Sequence, residues 1–187
     1  DDGRLVLGSA DGTLYTLRSD TEVGASLPKF ARVDVVVAQG DSMVVLDRGQ
    51  TSVTEVDGGG TASEQSLRAG EGAASMATDP AGRVLVTDTR GGALLVYGTE
   101  PLILRQRFPV HDAPYGVTGS AELAWMSQTA TNTVVGYDLA TGIPVEKVRY
   151  RTVQQPNTLA FDDATNTLYV VSGSGAGVQV ITGAAPR

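Results

Sequence analysis

The sequence has no cysteine. That excludes disulfides, thiolate nucleophiles and cysteine-based zinc or iron–sulfur centres. Lysine occurs only at Lys29 and Lys147, the one histidine is His111, and the formal net charge is −7. An acidic chain repels phosphate backbones, which argues against nucleic acid as a partner. No run approaches the ~18 apolar residues that a membrane helix needs. Long stretches with helical periodicity are missing as well. The chain begins Asp1-Asp2-Gly3-Arg4, with neither Met nor a signal peptide. We expect this start to be processed, engineered or a fragment boundary, from which an export signal or a lipid-bearing cysteine could have been removed.

What is present is alternation and turn chemistry. The 23 glycines and 8 prolines fall at turn positions rather than in a low-complexity block, so the chain reads as folded. Five segments share one pattern, a β-rich run, a small or polar turn and a second β-rich run. They are Arg4–Leu7 to Tyr15–Leu17, Met43–Leu46 to Val53–Val56, Val84–Val86 to Leu94–Tyr97, Leu123–Met126 to Val134–Tyr137, and Leu168–Val171 to Val178–Ile181. With Leu5, Met43, Val84, Leu123 and Leu168 as anchors, the steps are 38, 41, 39 and 45 residues. Propeller blades recur at about forty residues.

The flanks repeat too. Short apolar strands are predicted ahead of four anchors, at Val33–Ala38, Ser75–Thr78, Gly116–Thr118 and Thr158–Phe161. Turns such as Asp79-Pro80-Ala81-Gly82 join them to the next strand, and Asp11-Gly12, Gly91-Gly92 and Thr131-Asn132 mark the following hairpins. Charged, alternating fourth strands are predicted over Leu102–Phe108 and Pro144–Tyr150, suited to an outer edge facing water. The fold expected is all-β, a β-propeller of four-stranded antiparallel blades. It is read as one domain over 1–187, with repeats at 1–29, 30–70, 71–110, 111–152 and 153–187. The first repeat lacks its innermost strand and the last stops after its third. Three complete and two partial blades imply a part of a larger ring, because an open arc exposes the apolar face of each end blade.

Two repeats carry a family pattern. It reads in Pro156-Asn157-Thr158-Leu159-Ala160-Phe161-Asp162 through Asn166–Val171 and Val178–Ile181, and in Pro114–Val117 through the turn Asp138-Leu139-Ala140-Thr141-Gly142. These repeats resemble the YVTN class of β-propellers, related to NHL and WD40-like propellers. Ala81–Asp88 also resembles an NHL or senescence-marker-type blade. Such proteins include surface antigens, lipoproteins, lactonases and scaffolds, so the resemblance implies a fold and leaves function open.

By the same resemblance, the entrance to each innermost strand faces the central channel. This nominates Val33-Asp34, Ala73-Ala74, Pro114-Tyr115 and Pro156-Asn157, with Arg68, Glu71, His111, Asp112, Gln154 and Gln155 on the preceding loops. The expected ligand-binding set is Arg68, Glu71, His111, Asp112, Tyr115, Gln154 and Asn157. Enzymatic relatives hold a divalent cation, and here calcium would fall to Glu71, Asp112 and Asn157, with Asp34 a weaker fourth. No catalytic residue is nominated, since His111 and Asp112 have no serine beside them in a nucleophile elbow. Trp125 and Tyr169 are expected to fill gaps between blades. Arg105, Arg107, Lys147, Arg149 and Arg151 read as charge protection of outer edges.

The reading favoured is a non-enzymatic binding or scaffold module of the bacterial cell envelope, secreted or lipoprotein, with a protein partner or envelope component. A metal-dependent lactonase or other hydrolase working in the channel, and a propeller subunit of a larger assembly, are the alternatives.

Overall fold

A computed structural model describes residues 4–186. Asp1, Asp2, Gly3 and Arg187 lie outside the described residues, and with them most of the expectation about the chain start.

The described residues form five antiparallel sheets and no helix. The first sheet holds β1 (Val6–Gly8), β2 (Thr13–Ser19) and β3 (Glu22–Pro28). The second holds β4 (Val35–Gln39), β5 (Ser42–Asp47), β6 (Ser52–Val56) and β7 (Ser63–Arg68). The third holds β8 (Ala73–Thr78), β9 (Arg83–Asp88), β10 (Ala93–Gly98) and β11 (Ile103–Pro109). The fourth holds β12 (Pro114–Gly119), β13 (Ala124–Gln128), β14 (Thr133–Asp138) and β15 (Val145–Arg151), and the fifth β16 (Pro156–Asp162), β17 (Thr167–Ser172) and β18 (Val178–Thr182). Within every sheet the spatial order is the chain order. Innermost strands β4, β8, β12 and β16 lie side by side, so the sheets stand as blades around a common axis.

Outer strands in the fourth blade position occur in the first two sheets as well, at β3 and β7, which were not among those predicted from the sequence. In the three four-stranded blades the third strands are buried as thoroughly as the second, because both sit mid-blade between two neighbours. Cα pairing also corrects one anchor. Thr78 faces Val84, Gly119 faces Ala124 and Phe161 faces Leu168, so Ala124 rather than Leu123 matches Val84 and Leu168. A one-residue slip turns every side chain to the other face of a strand.

Burial follows that alternation. Val44 and Leu46 of β5 meet Val84 and Val86 of β9 in one core. Leu85 meets Ala124 and Met126 in the next, and Leu123 and Trp125 meet Leu168 and Val170 in the third. Val6, Leu14, Met43 and Val45 form the core between the first two blades. Trp125 is fully buried and stacks on Phe161 (centroids 5.4 Å) and Tyr150 (6.4 Å), with its indole N–H donating to Ser120 Oγ at 3.2 Å. Tyr169, its equivalent one blade on, is 37% exposed, contrary to the gap-filling role expected of it. No described blade lies beyond it. Val171, Val178 and Val180 share that open face, and Leu5, Leu7 and Val23 are exposed on the first blade.

Candidate functional site

Antiparallel pairing places the end of each second strand beside the start of the innermost strand. The loop entering a blade and its second hairpin therefore share one rim. A polar residue closes each second strand at this rim: Asp47, Asp88, Gln128 and Ser172. Each one holds the entering loop by its backbone.

Asp88 is the fullest case. It is completely buried, and its carboxylate accepts N–H bonds from Glu71 (3.0 Å), Gly72 (2.8 Å) and Gly91 (2.9 Å). A Cβ on Gly70 or Gly91 would run into that carboxylate, so glycine is required at both. Asp47 accepts from Ala31 N–H (2.7 Å) and Gln50 N–H (3.0 Å). Gln128 donates to the His111 carbonyl (3.1 Å), and the Ser172 hydroxyl donates to the Gln154 carbonyl (2.6 Å). Such bonds fix where the rim loops stand, since a buried donor or acceptor is costly to strand.

Between the second, third and fourth blades the rim forms an open cavity of about 630 Å³. Asp34, Glu71 and Tyr115 line it, together with Arg32, Arg48 and Arg90. Asp34 accepts from Arg32 Nε at 2.8 Å and from the Arg48 N–H at 2.9 Å. The Arg48 guanidinium carbon stands 6.0 Å from the centroid of the Tyr115 ring, at the outer reach of a cation–π contact. The Thr87 and Thr89 hydroxyls donate to the carbonyls of Tyr115 and Pro114, tying the fourth blade to the third at the cavity wall.

The nominated residues divide here. Glu71 and Tyr115, with Asp34, come together in the cavity. Arg68, His111 and Gln154 are engaged through their carbonyls, which accept from the Tyr97 hydroxyl (2.9 Å), Gln128 and Ser172 respectively. Asp112 is exposed with φ 65°, and its negative charge is the smallest of the influences raising the Arg149 pKa, after the hydrogen bond that Arg149 donates to Glu146 and against the effect of burial. Asn157 sits on β16 with its side chain against Gly173. As arranged, Glu71, Asp112 and Asn157 do not converge, and no group of three or more His, Asp or Glu side chains suited to a metal occurs among the described residues. A calcium ion wants about six oxygens, so this set does not fit one.

The residues sequence reasoning passed over are Arg32, Arg48 and Arg90. A signal existed. Asp47-Arg48-Gly49 and Asp88-Thr89-Arg90-Gly91 occupy matching hairpins, and antiparallel pairing puts those hairpins on the rim already nominated. Of the outer-strand cations, Lys147 pairs with Asp138 (3.4 Å) and Arg149 with Glu146 (2.8 Å), consistent with edge protection.

No family model matches this sequence, and no curated protein is significantly similar to it. Solved structures are similar. They include the dihydro-heme d1 dehydrogenase NirN in complex with DHE (21% identity, TM-score 0.79), BBS1N in complex with ARL6DN (13%, 0.78) and BamB from Moraxella catarrhalis (13%, 0.75). The alignments cover 97%, 98% and 97% of this chain, which spans 42%, 62% and 55% of theirs. Likeness at such low identity speaks to architecture alone, and the architecture is an all-β propeller of four-stranded antiparallel blades.

Proposed function

We propose that this chain is a non-enzymatic binding or scaffold module of YVTN/NHL type, exported to the bacterial cell envelope, that takes a partner or small ligand at the channel-mouth face. The observation that carries the reading is the cavity at the rim, where three blades converge on Asp34, Glu71 and Tyr115. Clefts where several elements meet are the usual place for a ligand. Its walls are prearranged by Asp47, Asp88 and the Thr87 and Thr89 hydroxyls, which lowers the ordering cost of binding. BBS1N, a propeller of similar shape, is seen in complex with a protein, ARL6DN. The envelope location rests on the YVTN resemblance. Cross-linking from position 115 in an envelope fraction tests the reading. Capture of a partner that is lost in Glu71→Ala supports it. A soluble, unpartnered protein that turns over a lactone removes it.

A second reading has its own observation. The exposed aliphatic faces of the first and fifth blades match, in kind, the faces buried between neighbouring blades. We infer that these two faces pack against further blades, as in a ring or assembly larger than the described arc. Replacing Leu7 and Val180 by Glu is expected to raise the solubility of the 187-residue chain in isolation and to weaken its packing in the complete protein.

The lactonase alternative requires a divalent cation. Since Glu71, Asp112 and Asn157 do not converge, we propose that the mouth works without one. Calcium, magnesium and manganese should then leave the melting temperature unchanged, and a saturable rise abolished by Glu71→Ala would restore the hydrolase.

A further inference from the structure

We propose that the mouth cavity binds a small organic oxyanion, a carboxylate or phosphate ester, through Arg48 and Arg90. This rests on the reading of the channel mouth as the binding face, and it names the chemistry that face recognises.

The argument begins with charge. The chain carries −7 overall, yet three arginines line this one cavity. Arg32 is neutralised by Asp34 at 2.8 Å, and the Asp34 side chain is itself nearly sealed from solvent. Arg48 and Arg90 have no carboxylate partner among the described residues. Glu71 is the one lining carboxylate without an ion pair, so the cavity wall keeps an excess of one positive charge. Asp47 and Asp88 lie behind that wall with their oxygens turned to backbone N–H groups of the loops, whose dipoles offset part of their charge, so the charges that face the cavity itself are the guanidiniums and Glu71.

Geometry adds to charge. The Arg48 guanidinium stands over the Tyr115 ring at the outer limit of a cation–π contact, and no hydrogen bond from its N–H fork to a protein group is made among the described residues. Arg90 is placed from its stem, because Gly72 lies so close that a Cβ there would come within 2.8 Å of the Arg90 Cβ. Two planar forks on neighbouring blades suit the paired oxygens of a carboxylate or phosphate. The volume suits a molecule of metabolite size, in the range of ordinary small-molecule pockets.

The test is a titration followed by the backbone amide signals of Gly49, Gly72 and Thr89 at low ionic strength. The probes are benzoate, phenyl phosphate, the neutral isostere benzamide and the cation benzylamine. Saturable shifts are expected with benzoate or phenyl phosphate, and the tighter of the two identifies the carboxylate or the phosphoryl source. The double variant Arg48→Gln, Arg90→Gln should weaken that binding by about tenfold or more. Both side chains are exposed, so an unchanged melting curve will show that the variant folds. Arg105→Gln with Arg107→Gln, on the outer strand β11, should change it by less than about twofold. Equal affinity for benzamide, anion binding indifferent to the arginine pair, or no saturable shift by ~10 mM probe would each overturn the inference. Partner capture that still depends on Glu71 would in those cases leave the binding face standing and reject only the oxyanion.

Discussion

Replacing Asp88 by Ala should be the most damaging single change at the rim. The substitution removes an acceptor for three backbone N–H groups, those of Glu71, Gly72 and Gly91, at 2.8–3.0 Å. A hydrogen bond to a charged group contributes about 1.5–3 kcal/mol net, and a buried donor left unpaired costs about 1–3 kcal/mol. Glu71 is exposed and the two glycines are half-buried, so water recovers part of the loss. The expected destabilisation is about 3–5 kcal/mol, in the range found when one partner of a buried polar network is deleted. Asp47 serves two N–H groups rather than three, and Asp47→Ala should cost about 2–3 kcal/mol by the same count. Urea unfolding read by Trp125 fluorescence and by far-ultraviolet circular dichroism measures both, with the urea slope held constant between variants. Asp88→Asn separates charge from shape, since it keeps the volume and one oxygen while turning an NH₂ toward N–H donors. If Asp88→Ala falls within about 1 kcal/mol of wild type, or Asp88→Asn is neutral, the carboxylate is not what holds the loop.

Thr51 adopts φ 53° at a hairpin position where the neighbouring blades have Gly92 and Asn132, also at positive φ. A β-branched residue is strained there, and Thr51→Asn should raise stability by about 0.5–1 kcal/mol in the same urea assay. Trp125→Ala empties the stack between Tyr150 and Phe161 and should cost about 3–5 kcal/mol, read by calorimetry because the fluorescent reporter is gone. Burial first, and the charge of Asp88 second, push the Tyr97 phenol up to about 12 from 10.0. Its contribution to stability is therefore complete below pH 10 and is lost as pH rises through about 12, because the unfolded phenol ionises first. An alkaline stability profile should show that decline, and Tyr97→Phe should flatten it.

The blade period and the mouth loops were legible from residues close together in the chain. Short continuous apolar runs at Met43–Leu46 and Val84–Val86, and turn pairs such as Asp11-Gly12, follow from backbone sterics and side-chain polarity, which act locally. Glu71 and Tyr115 could be nominated because each starts or precedes an innermost strand. The outer strands β3 and β7 were not legible although β11 and β15 were, since β7 has Leu67 as its one large apolar residue and β3 carries Gly24 and pairs irregularly with β2. The anchor at Leu123 slipped by one because two adjacent apolar residues look alike in a sequence and differ only in which blade they face.

Sequence alone determined that this chain repeats a four-stranded unit, as patterning, turn residues and the missing cysteine together leave few other folds. Tertiary structure decided which side chains meet. Arg48, Glu71, Arg90 and Tyr115 come from three blades, and the registers of three sheets had to be set before they could share one cavity. Asp112 and Asn157, as plausible by position, were turned elsewhere by the same registers. A local pattern specifies a strand, but the partner across a gap between blades is chosen by long-range pairing and packing.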